Sequence, residues 1–374
     1  MIMMKPYWRI ISTIILIVSF ISCKKDDTQS TPPAAKFFIR GADLSFTPEI
    51  STYNINYTEN DTVKPILQIM KDKGINTIRV RLWYAPSTVH SSLSEVLDFA
   101  KQIKQYGFKF WLDFHYSDWW ADPGKQNPPA AWLSLNFDQL KDSIYAYTKN
   151  TMNALVQAGA TPDYVQVGNE VNDGMLWPLG EIYKSTGTDW NSFRTLVEQA
   201  TTAIKEVSPT TLVMIHYAGL SGATYFFQNL LPLTPDFDLI GLSYYPMYHG
   251  KDIDSVKIVV NDLYTQFRKP VVIAETAYPF TLNGNDNTGN LVWLESQIIP
   301  AYSATDSGQA NFLAKIILNV KHSAFTDNFG VCYWAPDWVA YKGTASFDGS
   351  AGENQALFDF QNRALPGLDT LGKK

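Results

Sequence analysis

Two glutamates stand where an α/β protein most often places its chemistry. Glu170 ends the run Tyr164-Val-Gln-Val-Gly-Asn-Glu170, and Glu275 ends Pro270-Val-Val-Ile-Ala-Glu275. A short, β-branched apolar run reads as a strand buried on both faces. A carboxylate at its far end lies where strand meets loop, which is the functional face of an α/β barrel. Two carboxyls facing one bond can act as acid and nucleophile, and cleavage of a glycosidic bond needs such a pair. Asn169, directly before the first glutamate, adds an amide able to bind a hydroxyl.

Other runs end on polar or aromatic groups as well. Arg79 and Arg81 alternate onto one face of Thr77–Trp83. His115, Asp118, Trp119 and Trp120 close the next run. His216 follows Thr211–Ile215, Ser243-Tyr244-Tyr245 closes another, and Trp334 ends the last. Each has an ordinary structural explanation. A single arginine serves most simply as an ion-pair partner, a single histidine as a satisfied core residue, and a tryptophan as barrel filling. Polar groups stand at six of the eight run ends, on what would be one rim, and that coincidence favours a functional site.

The elements that must position them repeat along the chain. Eight β-like runs are legible: Phe37–Ala42, Thr77–Trp83, Phe108–His115, Tyr164–Gly168, Thr211–His216, Leu239–Ser243, Pro270–Glu275 and Phe329–Trp334. Amphipathic stretches lie between most of them, such as Leu93-Val96-Leu97-Ala100-Ile103 before Gly107. Eight strands alternating with helices predict an α/β fold, a (β/α)8 TIM barrel, with residues 37–374 as a single catalytic domain. No glycine-rich phosphate loop follows any strand, which argues against a dinucleotide fold.

Composition excludes other classes. With 36 Asp+Glu against 30 Lys+Arg in 374 residues, no basic surface invites nucleic acid. The 11 Trp and 20 Tyr suit stacking on sugar rings, although large proteins bury many aromatics anyway. At the N-terminus, Lys5 and Arg9 precede an apolar stretch to Ile21 and then Ser22-Cys23. This is too short to span a membrane comfortably. It resembles a bacterial lipoprotein signal, residues 1–23, with Cys23 as the lipidated residue. Lys24-Lys-Asp-Asp27 resembles a surface-export tag, and residues 24–36, with Pro32-Pro33, read as a flexible tether. A monomeric enzyme attached to the outer membrane and exposed on the cell surface is the corresponding expectation for partners and location. Cys332, the second of two cysteines, reads as a small core residue.

More specific strings then carry a resemblance. Gly41-Ala-Asp43-Leu-Ser45, Ile78-Arg-Val-Arg-Leu-Trp83, Asp113-Phe-His-Tyr-Ser-Asp-Trp-Trp-Ala-Asp-Pro123, Gly168-Asn-Glu170 with Met175-Leu-Trp-Pro178, and Ile240-Gly-Leu-Ser-Tyr-Tyr-Pro246 resemble glycoside hydrolase family 53, the endo-β-1,4-galactanases of clan A. The resemblance runs from about Phe37 to about Trp338. It implies retaining, endo-acting hydrolysis of β-1,4-galactan or type I arabinogalactan, the pectin side chains, without a catalytic cofactor. It assigns Glu170 as acid/base and Glu275 as nucleophile. A retaining pair stands ~5–5.5 Å apart, close enough that one carboxyl stays protonated.

The expected supporting set follows from these roles. Arg81, nearer the strand end, is the first choice to hold Glu275, with Arg79 as the alternative. Asn169 binds the sugar 2-hydroxyl, and Tyr244 or Tyr245 donates to the nucleophile. His115, Asp118, Trp120, Trp177, His216, Trp334 and Trp338 complete the substrate-binding candidates, with Trp83 and Trp119 as further platforms. Tyr333-Trp-Ala-Pro336 departs from the family's Tyr-Trp-Glu-Pro. Bacterial members can hold a structural Ca2+ after the nucleophile. Here Asp286 and Asn290 are the matching ligands, but an acidic position has become Gly284, so a plain polar turn is favoured over calcium. Two other readings stay open on sequence alone. One is a different clan A β-glycanase of mannanase or xylanase type, the other a non-catalytic glycan-binding lipoprotein.

Overall fold

Eight parallel strands close into a barrel in the computed structural model of the chain, which describes Met1, residues 37–321 and residues 329–373. The strands are β1 (Ile39–Asp43), β2 (Thr77–Leu82), β3 (Lys109–Phe114), β4 (Tyr164–Val167), β5 (Leu212–Ala218), β6 (Leu239–Ser243), β7 (Val271–Glu275) and β8 (Gly330–Tyr333). Neighbours in sequence are neighbours in the barrel, and β1 pairs with both β2 and β8 to close it. The predicted (β/α)8 barrel is therefore the fold. The signal, Cys23 and the tether lie outside the described residues. Among the described residues, no helix is long and apolar enough to cross a membrane.

Helices α1 (Ile66–Asp72), α2 (Leu93–Gln105), α3 (Phe137–Gln157) and α4 (Trp190–Val207) follow the first four strands. After β5, β6 and β7 come α5 (Ala223–Leu230), α6 (Ser255–Phe267) and α7 (Asp306–Lys321), and α8 (Pro366–Gly372) packs on α7. Local chemistry sets their starts. Asn136 and Gln139 form a reciprocal capping box for α3. Ser92 and Asp189 accept from the third-residue amides of α2 and α4. Leu140, Ile144, Met152 and Leu155 form the buried stripe of α3. The sequence did not announce α5 or α8. Both are short, and α5 opens after a glycine in place of a capping side chain.

Strand alternation divides the barrel interior into two levels. Ile39, Trp111, Tyr164, Met214, Leu239, Val272, Ala274 and Cys332 form an apolar cluster within the barrel. Two residues further along β3, β4 and β5 the inward positions become Asp113, Gln166 and His216, all fully buried. Gly41 lets β1 and β8 come together here, since a Cβ at this position would lie 2.8 Å from Cys332 Cβ. The β6–β7 register shifts between Leu242 and Ser243, which sets Ser243 beside Glu275.

Candidate active site

The polar level carries a buried guanidinium. Arg79 bonds Asp43 at 2.7 Å, Asp113 at 2.8 Å and Glu275 Oε1 at 2.9 Å. Its Nη2 also donates to Asn169 Oδ1 at 2.9 Å and its Nε to Gln166 Oε1 at 3.2 Å. A buried arginine persists only when its donors are used, and four elements supply the acceptors. Burial would raise Asp113, but Arg79 and His115 outweigh it and hold that carboxyl below its ordinary range. Tyr245 completes the Glu275 environment by donating to Oε2 at 2.9 Å. Burial and the Glu275 charge push the phenol well above its usual range, so it remains a donor.

Glu170 has a different setting. It leaves β4 with φ +48, an uncommon backbone for a non-glycine residue, and follows Gly168 at φ +79. A Cβ on Gly168 would sit 2.5 Å from Val171 Cγ1, so the turn that presents Glu170 requires glycine there. Glu170 Oε1 accepts from Ser243 Oγ at 2.5 Å. Ser243 in turn contacts His216 Nε2 at 2.9 Å.

The electrostatics separate the two carboxyls. Burial, followed by the Glu275 charge, pushes Glu170 up to about 8, while the Ser243 hydrogen bond pulls the other way. Burial also raises Glu275, to about 7, with Arg79 the strongest opposing influence. The two titrate as a pair. Of the two, only Glu275 contacts a cation among the described residues, which favours the proton on Glu170.

Both carboxyls line one cavity of about 600 Å³, together with Asn169, Arg79, Arg81, His115, Trp120, Tyr245 and Trp334. Asp43, Asp122, Tyr248, Leu291 and Gln355 extend its walls. Asn169 Nδ2 donates to Ala121 O at 2.8 Å, which holds its amide over the cavity. His115 is fixed between the Ala121 amide at 3.0 Å and Asp113 at 3.1 Å.

Several expected contacts fall elsewhere. Arg79, not Arg81, holds Glu275, because strands in a sheared barrel are staggered and nearness to the strand end does not give height. Arg81 donates to Ser91 at 2.8 Å and lies over Phe46, Trp83 and Trp120 at 4.2, 4.8 and 4.4 Å. His216 is fully buried behind Ser243 and does not line the cavity. Tyr244 turns outward, as alternation requires, and donates to Gly250 O at 2.9 Å. Asp118 fastens loops through the Ala85 and Ala130 amides at 2.9 and 2.8 Å. Trp177 donates to Asp173 O at 2.7 Å, and Trp338 stacks on Phe46 at 4.1 Å. None of these last three lines the cavity. Conversely, Gln166 and Ser243 received no role from sequence. The available signal was a polar residue at an inward position of an otherwise apolar strand.

Protein groups brace the loop after β7, although Asn290 Oδ1 and Glu353 Oε2 are buried there without a hydrogen-bond partner among the described residues. Asp286 accepts from the Thr288 amide at 2.6 Å through one oxygen and from the Ser350 amide at 3.0 Å through the other. Glu353 accepts from the Asn285 and Asp286 amides, and Asn290 donates to Asn283 O at 3.3 Å. No group of three or more His, Cys, Asp or Glu able to hold a metal occurs among the described residues. Asp286 and Asn290 by themselves supply fewer than the six or more oxygens that Ca2+ prefers.

Known proteins are similar to this chain in sequence and fold. The profile of Glycosyl hydrolase family 53 matches residues 39–371. An arabinogalactan endo-β-1,4-galactanase of Cellvibrio japonicus is 35% identical over 339 residues, covering 88% of this chain and 89% of that protein. The endo-β-1,4-galactanase of Bacillus subtilis is 30% identical, with 90% and 86% covered. The family 53 catalytic domain of Ignisphaera aggregans superposes with a TM-score of 0.84 at 36% identity, covering 89% of this chain and 95% of that one. With a family match across nearly the whole barrel and relatives above the thirty-percent level, this chain belongs to glycosyl hydrolase family 53.

Proposed function

We propose that the protein hydrolyses internal β-1,4-galactosidic bonds of galactan with retention, Glu170 acting as acid/base and Glu275 as nucleophile. The observation that carries this is a pair of carboxyls on one cavity, one ion-paired to Arg79 and the other beside a neutral hydroxyl. The galactanase names of the relatives support galactan over mannan or xylan. In the first step Glu275 attacks the anomeric carbon while Glu170 gives its proton to the departing glycosidic oxygen. The C–O bond breaks and a glycosyl ester of Glu275 forms. In the second step Glu170, now ionised, takes a proton from water, whose oxygen attacks the same carbon and releases Glu275. Arg79 and Tyr245 stabilise the carboxylate that leaves. Asn169, its Oδ1 held by Arg79 and Gln166, would bind the 2-hydroxyl.

The test is hydrolysis of linear β-1,4-galactan, mannan and xylan by the purified protein, with product anomers read by NMR. Galactan cleaved fastest, to mixed oligosaccharides with the β-anomer released first, is expected. A preference for mannan or xylan, or initial release of the α-anomer, would refute it.

For location we propose a lipid anchor at Cys23 in the outer membrane, on the strength of Lys5, Arg9, the apolar stretch to Ile21 and Ser22-Cys23. Labelled palmitate should enter the wild-type protein and not Cys23→Ala. Equal labelling of the two would end that proposal.

A further inference from the structure

Ser243 lies between Glu170 and a sequence of hydrogen bonds that can run in only one direction. The chain begins at Arg79, which cannot accept a hydrogen bond. Its Nε donates to Gln166 at 3.2 Å, so the Gln166 carbonyl oxygen must face it and the amide nitrogen must face away. That nitrogen has two hydrogens for three neighbours, and His216 Nδ1 at 2.9 Å and Asn169 Oδ1 at 3.0 Å are nearer than Gly168 O at 3.2 Å. Asn169 Oδ1, the other group near Nδ1 at 3.1 Å, already accepts from Arg79 at 2.9 Å and Gln166 at 3.0 Å. His216 Nδ1 therefore accepts. Burial, reinforced by the Arg79 charge, holds the imidazole neutral, so its single proton is on Nε2. Nε2 then donates to Ser243 Oγ at 2.9 Å, and the hydroxyl has one direction left, toward Glu170 Oε1 at 2.5 Å. Glu170 Oε2 makes no hydrogen bond to the protein among the described residues, and Glu170 lines the cavity.

We propose that Ser243 is a positioning residue for the acid/base, kept by Arg79, Gln166 and His216 as a one-way donor to Oε1, so that the proton exchanged with substrate is confined to Oε2. The inference rests on the acid/base role of Glu170. It assigns the two oxygens different tasks, one as a permanent acceptor and one as the proton carrier. It also makes Arg79 a common origin, since the guanidinium that pairs with Glu275 fixes the direction of the chain ending at Glu170. The charged groups facing Glu170 are Glu275 from β7, Arg79 from β2 and Asp122 from the loop after β3. Those facing His216 are Arg79, Asp113, His115 and His249.

The experiment compares two substrates in the full-length protein. Galactan has a poor leaving group and needs a proton from the acid, whereas a 2,4-dinitrophenyl β-galactobioside does not. For Ser243→Ala, kcat/KM on galactan should fall about 10- to 100-fold, against less than about 3-fold on the dinitrophenyl substrate. The alkaline limb on galactan should move upward, because a lost donor leaves the Glu170 proton more tightly held. Ser243→Thr, which keeps the hydroxyl, should restore most of the galactan activity, and His216→Ala should repeat the pattern more weakly. Equal loss on both substrates, or no recovery in a folded Ser243→Thr, would overturn the proposal. Glu170→Ala in the same assays separates the two levels. If it fails to discriminate between leaving groups, the acid/base role itself is wrong and this inference falls with it. If it discriminates and Ser243→Ala does not, this inference alone is wrong.

Discussion

Glu170 and Glu275 are the same side chain on the same rim, yet the barrel treats them differently. Glu275 touches a guanidinium and a phenol. Glu170 touches a single hydroxyl, backed by a neutral imidazole and an amide. Both are raised by burial, but Arg79 opposes the rise only strongly at Glu275. The lesson is that neighbours, not residue type, divide acid from nucleophile. A similar division separates the barrel levels. An apolar cluster around Trp111 and Met214 fills the barrel, and the next inward residues form an ion-paired network with little freedom to rearrange.

The comparison can be broken most severely at the nucleophile. Glu275→Gln should lower kcat on galactan by about 1,000-fold or more while leaving a folded protein, as removal of a covalent catalyst does. Residual activity near wild type would place the nucleophile elsewhere. Arg79→Lys comes next, since it removes the planar fork that reaches Asp43, Asp113 and Glu275. A cost of about 3–5 kcal/mol in folding free energy, measured by denaturant unfolding, is expected together with loss of activity. Tyr245→Phe deletes one donor to a carboxylate and should cost about 10- to 100-fold in kcat with Tm almost unchanged. The smallest effect belongs to the loop after β7. Chelation of divalent cations should move Tm by less than about 2 °C, because backbone amides brace Asp286 and Glu353 in that loop; a larger drop would show a cation bracing it as well.

Much of this is legible in the amino-acid sequence. The eight apolar runs found the barrel because strands buried on both faces leave no polar interruption. Residues closing those runs found Glu170, Glu275, Asn169, His115, Trp120 and Trp334 on one cavity. What escaped depends on the stagger between strands. Sequence alone ranked Arg81 above Arg79 by nearness to the rim, whereas the shear of the barrel brings Asp43, Asp113 and Glu275 to Arg79. Ser243 escaped because its place beside Glu275 comes from a register shift in β6 that no residue type announces. Glu353 escaped because the amides it accepts from, Asn285 and Asp286, belong to a loop far away in the chain.

The division of roles is tested most directly by titrating the Glu170 carboxyl itself, using ¹³C-labelled glutamate and NMR, in the wild type and in Glu275→Gln. The expected titration lies near 8 in the wild type and shifts downward in the variant, because a neutral amide no longer repels the second negative charge. An ordinary carboxylate titration in the wild type, or one that does not move when Glu275 is neutralised, would contradict the assignment of the proton to Glu170.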